Sequence, residues 1–326
     1  IARCFRQQAQ GEIQPAVFAE IQDKAIRDVV RLQQETGLQV VTDGEFRRSS
    51  YWGRFVERCN GFEIRPAVFK FRDDHGHEVD FTATYATGKL SRTQPLAVDE
   101  FAFLKQVTKV TPKITMPAPS TMHFYRCTDF ADPKAYTNAE AFFADLAAIY
   151  RQEIADLAKA GCRYIQLDEV AIAMLCDPAI RDRVTGAGQD PDKLVDLYIK
   201  AINDCVAGAP TDMVVGIHMC RGNFRGRYLS EGGYESVARA LLHRRQRHPL
   251  PARVRHRQGR RLQAAALRTQ DQGGRSRPRQ HQDSSAGDTR RVAAAHERGR
   301  KIHRHAEPRH RSPMRIRLHR RRQSAH

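Results

Sequence analysis

Hydrophobic positions over the first two thirds of the chain alternate between short apolar runs and longer segments in which apolar residues recur at helical spacing. The best-marked helix begins after Asn138, a residue type favoured as an N-terminal cap, and ends before Gly161, which suits the position after a helix. Its apolar residues are Phe143, Leu146, Tyr150, Ile154 and Leu157. A short buried strand is predicted directly afterwards, over residues 163–167.

A second helix and strand follow in the same order. The helix begins at Asp190, has Pro191 in its first turn and ends near Gly208, and the strand is predicted over residues 213–217. The helix buries Leu194, Leu197, Tyr198 and Ile202. Earlier elements are a helix around residues 21–35 and strands over 38–42, 79–87 and 113–116. Four or five such units predict an α/β fold around a parallel sheet.

Polar residues stand at the carboxyl ends of the predicted strands, where an α/β barrel gathers its catalytic residues. The first visible strand is followed by the segment VTDGEFRR, which places Glu45, Arg47 and Arg48 at its mouth. Such charges could hold the two ends of an amino acid. The alternative is a solvated loop in which Asp43 and Gly44 form a turn.

Two later strands end in residues that bind cations or metals. The segment IQLDE ends with Asp168 and Glu169, which could hold an ammonium group or a metal, although one of them could instead cap a helix. The segment IHMC ends with His218 and Cys220, whose spacing turns both side chains to one side of a strand. Imidazole nitrogen and thiolate sulfur are donors that zinc favours. The structural alternative is a buried Cys beside a His that hydrogen-bonds a carbonyl.

Charge separates the chain into two parts. The net charge is +18, but residues 240–326 carry 25 Lys and Arg against 5 Asp and Glu, so the whole positive excess lies there. This segment also holds 10 of the 14 His and lacks Phe, Tyr, Trp and Cys. One interpretation is an evolved, disordered arm that binds nucleic acid through its charge.

The 7 cysteines all lie before residue 240, and their scattered positions and odd number do not resemble a disulfide framework. The sequence has no run of about 18 apolar residues that could span a bilayer, and Ile1 opens no signal-peptide pattern. We therefore expect a cytoplasmic protein without a membrane partner. Because Ile1 is not an initiator Met, we also expect the chain to be a fragment.

The segments VTDGEFRR, IQLDE and IHMC, in this order and spacing, resemble the catalytic domain of cobalamin-independent methionine synthases. The resemblance runs from about Gly11 to Glu235 and is greatest with the shorter single-barrel relatives. It implies a (β/α)8 barrel of the TIM type over residues 1–239. This barrel is expected to be incomplete, because the glycine-serine segment that opens the family's first strand is absent and residues 240–326 replace the last strands.

The resemblance also implies the chemistry. His218 and Cys220 match two zinc ligands of the family, and Glu45 and Asp168 match acids that hold the amino group of homocysteine. Tyr125 stands where the larger relatives place a folate-stacking Trp. The implied reaction is attack of a zinc-activated homocysteine thiolate on the N5-methyl group of methyltetrahydrofolate. Related barrels alkylate other thiols, such as coenzyme M, and no residue in this sequence chooses between these small-molecule acceptors.

The family completes its zinc site with a further Glu and a further Cys, the Cys lying in a Gln-Cys-Gly segment near the C-terminus. Residues 240–326 contain no Cys. A reading frame shifted by one base lets residues 313–316 encode Gln-Cys-Gly-Phe. In that frame the last two bases of the Met314 codon, ATG, join the first base of an Arg315 codon of the form CGN and give TGC, which encodes Cys. The same shift turns residues 262–272 into ordinary globular sequence and yields a Glu from Arg253 and Val254. We therefore predict a frameshift or sequencing error near residues 237–242, a disordered out-of-frame tail, and a chain that is inactive as written.

Overall fold

The computed structural model describes residues 1–72, 77–222, 229–237 and 252–254. The boundary predicted at residues 239 and 240 lies outside these residues, and so does the predicted tail apart from residues 252–254. Within the described residues, no helix is both long and apolar enough to cross a membrane.

Helices and strands alternate through most of the described residues, and the chain is a mixed α/β protein, as the sequence predicts. The helices are α1 (Ala2–Ala9), α2 (Pro15–Glu35), α3 (Gly53–Glu57), α4 (Val98–Val107), α5 (Thr121–Phe124), α6 (Ala139–Lys159), α7 (Ala171–Met174), α8 (Pro178–Gly186) and α9 (Pro191–Val206). The strands are β1 (Val40–Val41), β2 (Cys59–Pro66), β3 (Phe71–Arg72), β4 (Glu78–Val79), β5 (Thr82–Arg92), β6 (Thr111–Pro112), β7 (Ile114–Pro117), β8 (Tyr164–Glu169), β9 (Val214–Met219) and β10 (Ala252–Val254).

Parallel strands carry the candidate residues. β7, β8 and β9 are neighbours in one sheet, and β10 pairs with the far side of β9. β1 and β6 form a separate parallel pair. The chain passes through α6 between β7 and β8 and through α9 between β8 and β9, which is the crossover that parallel strands require. The carboxyl ends of β7, β8 and β9 therefore meet at one edge of the sheet.

The two helices predicted most clearly are confirmed. α6 begins after Asn138, whose side chain accepts a hydrogen bond from the backbone N–H of Ala141 at 2.8 Å, and Gly161 has a φ of +95° just beyond its end. α9 begins after Asp190, whose carboxylate caps its first turn. Both helices bury their apolar faces in one core, although Leu197 of α9 is only half-buried.

The other predicted elements are present with shifted ends. The helix predicted around residues 21–35 begins earlier, as α2, and the strand at 38–42 is reduced to β1. β7 corresponds to the strand predicted at 113–116. β8 and β9 correspond to those at 163–167 and 213–217, and both run further toward the candidate residues.

The alternating run at residues 79–87 is not a strand of the parallel sheet, which corrects the sequence interpretation. Most of it lies in β5, which pairs antiparallel with β2, and β4 pairs antiparallel with β3. Strict alternation is typical of an antiparallel strand with one solvated face, whereas parallel strands covered on both faces are apolar throughout. The pairing of β5 with β2 makes the run part of an antiparallel ribbon, although residues 83–86 of β5 are all buried and do not alternate between a core face and a solvated face.

This ribbon is anchored at the edge of the sheet where the candidate residues lie. The hydroxyl of Thr84 on β5 donates a hydrogen bond to the carbonyl of Met122 on α5 at 2.9 Å. The backbone N–H of Val68, after β2, donates to the carbonyl of Tyr125 at 2.8 Å. The ribbon thereby fixes the short helix α5, which follows β7.

Candidate active site

Two neighbouring strands bring an acid and an imidazole together. β8 and β9 pair in register, with Asp168 opposite His218. Residues paired in this way point to the same side of a sheet. The thiol of Cys220, two residues beyond His218, lies close enough to interact electrostatically with Asp168. Three of the predicted site residues, Asp168, His218 and Cys220, therefore share one corner of the sheet.

Asp168 is held by a chain of hydrogen bonds along the same face. Gln166 donates from Nε2 to the Oδ1 atom of Asp168 at 2.7 Å, and Lys113 donates from Nζ to the Oε1 atom of Gln166 at 2.8 Å. Burial raises the pKa of Asp168 to about 7, and the nearby carboxylate of Glu45 also raises it, against the opposing effects of Gln166 and Lys113. A bound cation would favour the ionised form of this carboxyl group.

Glu45 stands in a tight turn after β1. The Oδ1 atom of Asp43 accepts a hydrogen bond from the backbone N–H of Glu45 at 2.9 Å, and Gly44 and Glu45 have φ values of +72° and +57°. A left-handed φ is uncommon for a residue with a side chain, and such residues cluster at functional sites. The turn proposed as an alternative to a site is present, and it directs Glu45 to Thr115, whose hydroxyl donates to Oε1 of Glu45 at 2.5 Å.

Both arginines after this turn pair with acids of the protein. Arg48 donates to the Oε2 atom of Glu100 on α4 at 2.6 Å and to the hydroxyl and carbonyl of Thr115 at 3.1 Å and 2.9 Å. The side chains of Arg48 and Glu100 are 5% and 0% exposed. Arg47 forms an ion pair with Asp23 on α2. The arginines therefore support the turn, and this geometry does not favour their holding the ends of an amino acid.

Glu169 accepts a hydrogen bond from the first turn of α7, but the N-cap position of this helix is held by Val170. Its buried carboxylate accepts hydrogen bonds from the backbone N–H of Ile172 in α7 at 2.7 Å and from the hydroxyl of Ser120 at 2.5 Å. Burial raises the pKa of Glu169 to about 7, against the lowering effect of these hydrogen bonds. Glu169 thus joins α7 to the segment after β7, whereas Asp168 is the member of the pair that faces Glu45.

His218 and Cys220 offer a nitrogen donor and a sulfur donor. Burial raises the pKa of the Cys220 thiol, and the carboxylates of Asp168 and Glu169 also raise it. A bound metal cation would oppose this shift. No group of three or more His, Cys, Asp or Glu among the described residues is arranged to hold a metal. The donor chemistry of His218 and Cys220 fits zinc, but these are two donors, and a zinc site uses three or four.

Tyr125 lies at the same edge of the sheet and is buried. It is 3% exposed, and its ring centroid lies 5.0 Å from that of Phe81 and 5.7 Å from that of Phe124, both in edge-to-face contacts. A ring that stacks on a planar ligand needs an open face. This conformation therefore does not support the stacking role implied by the resemblance.

Two cavities among the described residues lie away from Asp168, His218 and Cys220. A cleft of about 490 Å³ includes Phe69, Cys127 and Arg183 in its lining and none of the predicted site residues. A void of about 10 Å³ adjoins Arg48 and Tyr51 and is about large enough for one water molecule. Strand register and charge define the candidate site.

Sequence reasoning missed the residues that support the acids. Gln166 lies two residues before Asp168 on β8, so the alternation of a strand was a signal that could have found it. Glu100 lies in the first turn of α4, where acids are common near a helix N-terminus and are usually solvated. No local pattern distinguishes this buried acid from an exposed one, because its burial depends on distant parts of the chain.

Comparison with known proteins gives a family match. Residues 2–230 match the family described as "Cobalamin-independent synthase, Catalytic domain". The uncharacterized protein YxjH of Bacillus subtilis is 36% identical over 240 residues, which are 73% of this chain and 62% of the relative. The methionine synthase of Pyrococcus furiosus is 29% identical over 225 residues, which are 69% of this chain and 58% of the relative. The chain thus spans about three fifths of the length of these curated relatives.

Solved structures give the same result. A candidate vitamin-B12 independent methionine synthase from Listeria monocytogenes superimposes with a TM-score of 0.56 and 31% identity, covering 74% of this chain and 65% of the other. A B12-independent methionine synthase from Shewanella, solved with selenomethionine, has a TM-score of 0.51 and 24% identity, covering 66% of this chain and 56% of the other. The second likeness concerns the fold alone.

Proposed function

Because the chain belongs to the family of cobalamin-independent methionine synthase catalytic domains, we propose that it carries the catalytic face of a zinc-dependent methyltransferase. The acceptor is the thiol of homocysteine, and the donor is the N5-methyl group of a methyltetrahydrofolate. The observation that carries the proposal is the register of β8 and β9, which pairs Asp168 with His218. Cys220 follows β9 and interacts electrostatically with Asp168.

Glu45 and Asp168 bind the ammonium group of the acceptor. Burial raises the pKa of Asp168 to about 7, and the facing Glu45 carboxylate also raises it. An ammonium group between the two acids would relieve both effects, since an opposite charge favours an ionised carboxylate. The acids thereby select a thiol that carries an amino group and orient it in the site.

His218 and Cys220 supply two ligands of the zinc ion. Zinc favours these donors and, when bound, lowers the pKa of a coordinated thiol so that it is ionised at neutral pH. The protein holds the acceptor by its ammonium group, so that the acceptor sulfur reaches the corner of His218 and Cys220. The sulfur then attacks the methyl carbon in line, the bond from that carbon to N5 breaks, and N5 keeps the electron pair and takes a proton.

The parallel strands belong, in this proposal, to a (β/α)8 barrel of the TIM type. The family match ends at residue 230, close to residues 237–242, where the composition of the chain changes. An out-of-frame segment beginning there would replace the remaining strands and the remaining zinc ligands. The chain as written would then be inactive. The nucleotide sequence around the codon of Val237 tests this part, and finding the present frame intact would contradict it.

Methionine formation tests the proposed function. A version whose reading frame is restored after Val237 is supplied with zinc, homocysteine and methyltetrahydrofolate, and methionine is measured by mass spectrometry. We expect methionine from this version and none from the chain as written. Cys220→Ser should lower the rate by more than about 100-fold, since even the outer partners of metal ligands are worth 10–100-fold.

The matched control is Cys4→Ser, because Cys4 lies in α1 and is also a free cysteine. This variant should keep the full rate. If the restored version binds zinc and forms no methionine from homocysteine, the proposed acceptor is wrong. Methylation of coenzyme M or another thiol under the same conditions would then identify a different acceptor.

A further inference from the structure

Each of the two acids at the candidate site accepts a hydrogen bond from a neutral side chain. The hydroxyl of Thr115 on β7 donates to the Oε1 atom of Glu45 at 2.5 Å. The Nε2 atom of Gln166 on β8 donates to the Oδ1 atom of Asp168 at 2.7 Å. Thr115 and Gln166 are partners in the register of β7 and β8, so the two donors lie side by side on one face of the sheet.

A cation holds each of these neutral side chains from the other side. The Nη1 atom of Arg48 donates to the hydroxyl of Thr115 at 3.1 Å. The Nζ atom of Lys113 donates to the Oε1 atom of Gln166 at 2.8 Å. The two chains of hydrogen bonds therefore have the same order, from a cation through a neutral side chain to an acid.

The cations fix the direction of both chains. Arginine and lysine side chains only donate hydrogen bonds, and an ionised carboxylate only accepts them. The arginine uses a lone pair of the Thr115 hydroxyl and leaves the proton of this group for Glu45. The lysine uses the amide oxygen of Gln166, so the amide NH2 group faces Asp168. A flipped amide would set donor against donor at the lysine and acceptor against acceptor at the acid.

The two carboxylates are held near each other. Glu45 lies close enough to Asp168 to interact electrostatically with it. Each chain of hydrogen bonds occupies one oxygen atom of its acid, and this contact limits the rotation of the carboxylate. A ligand binds more tightly to groups that already have the orientation of the bound state. A pair of acids held in this way is therefore prepared for an ammonium group, which donates hydrogen bonds to more than one acceptor.

We propose that Thr115 and Gln166 are positioning residues, which hold the two acids in the orientation that binds the ammonium group of the acceptor. The inference rests on the proposed function, in which Glu45 and Asp168 bind this group. The effect of Thr115 and Gln166 on the ligand passes through the acids. The preference of the site for ligands with an amino group then depends on both hydrogen bonds as well as on the charge of the acids.

Calorimetric binding of two ligands to the full chain tests the proposal. One ligand is methionine, and the other is 2-hydroxy-4-methylthiobutanoate, in which a hydroxyl group replaces the amino group of methionine. Thr115→Val and Gln166→Met replace each side chain by an apolar one of similar size. Each should weaken methionine binding about tenfold, the value of a hydrogen bond to a charged group. Binding of the hydroxy acid should weaken less, because its hydroxyl group carries no charge.

Two further variants serve as controls. Thr115→Ser keeps the hydroxyl and loses a methyl group, so it should bind methionine as the unaltered chain does. If Thr115 acted only through packing, Thr115→Ser would bind methionine more weakly than Thr115→Val. Gln152→Met makes the same replacement as Gln166→Met at an exposed position of α6, and it should bind both ligands normally.

Three results would overturn the proposal and leave the proposed function standing. They are equal losses for methionine and the hydroxy acid, no loss for either ligand, and weaker methionine binding by Thr115→Ser than by Thr115→Val. If the unaltered chain binds methionine no more tightly than the hydroxy acid, Glu45 and Asp168 do not bind an ammonium group. The proposed function then fails together with the inference.

Discussion

At the scale of single residues, burial is the largest influence on the acids at the carboxyl edge of the sheet. Asp168 and Glu169 both have a pKa raised to about 7, and burial is the first cause in each. Hydrogen bonds from Gln166 to Asp168 and from Ser120 to Glu169 act in the opposite direction without cancelling the shift. Such acids change their charge readily when a cation binds.

The pH dependence of stability is a prediction about Glu169. Its pKa of about 7 in the folded chain lies above the ordinary value of 4.5, so between these values the folded chain keeps a proton that the unfolded chain has lost. The free energy of unfolding therefore falls as pH rises through this window, by up to about 1.4 kcal/mol per pH unit. We measure the free energy of unfolding by urea at about pH 5 and at about pH 8. Between these two values we expect the unaltered chain to lose about 2–3 kcal/mol more of this free energy than the variant Glu169→Gln loses.

The control for this measurement is Asp182→Asn, which changes an exposed acid on α8. Its pH profile should follow that of the unaltered chain. If the profiles of the unaltered chain and Glu169→Gln run parallel across the window, the buried carboxyl group does not hold its proton as described.

At the scale of elements, the turn that carries Glu45 is tied to the rest of the protein through α4. Glu153 on α6 is fully buried and accepts hydrogen bonds from two backbone N–H groups just before α4, at 2.6 Å and 2.7 Å. Glu100, in the first turn of α4, then binds Arg48, which also lies 3.7 Å from the Glu45 carboxylate. The position of the Glu45 turn thus depends on how α4 docks against α6.

Removing Glu100 tests this connection. Glu100→Ala would leave Arg48 buried without its acid, and breaking a buried ion pair in this way costs about 3–5 kcal/mol. We expect a loss of that size in the free energy of unfolding, measured by denaturant titration. The control is Asp28→Asn, which removes an exposed pair with Lys24 and should change stability little. An effect of Glu100→Ala no larger than that of the control would contradict the connection.

Sequence patterns predicted the elements whose signals are local. The cap at Asn138 and the helical spacing that follows it are sufficient to define α6, because both act within a few residues. The antiparallel ribbon of β2 and β5 was missed, since its pairing joins residues far apart in the chain and only the alternation in β5 points to it.

The arrangement of the candidate residues could not be predicted from the sequence. The positions of Asp168, His218 and Cys220 at strand ends follow from the sequence, but their proximity depends on which strands are neighbours and in what register. The supporting contacts of Gln166 and Glu100 depend on the same tertiary arrangement. Propensity and periodicity are local quantities, and they do not specify contacts between distant segments.

At the scale of the whole molecule, one part of the chain matches a catalytic family and another carries the positive charge. The family match covers residues 2–230, whereas the excess of Lys and Arg lies in residues 240–326. The described residues hold no group of three or more His, Cys, Asp or Glu placed to bind a metal, and a working zinc site needs about three ligands from the protein. The proposed chemistry therefore belongs to a completed barrel.

The zinc environment of the frame-restored protein tests this account most directly. X-ray absorption at the zinc edge, recorded before and after addition of homocysteine, should reveal one added sulfur neighbour at about 2.3 Å. Cys220→Ser should remove one sulfur neighbour from the spectrum before addition, and Asp168→Asn should raise the homocysteine concentration needed for the change. A spectrum that homocysteine leaves unaltered, or that Cys220→Ser leaves unaltered, would contradict a zinc site at His218 and Cys220 that takes an amino-acid thiol.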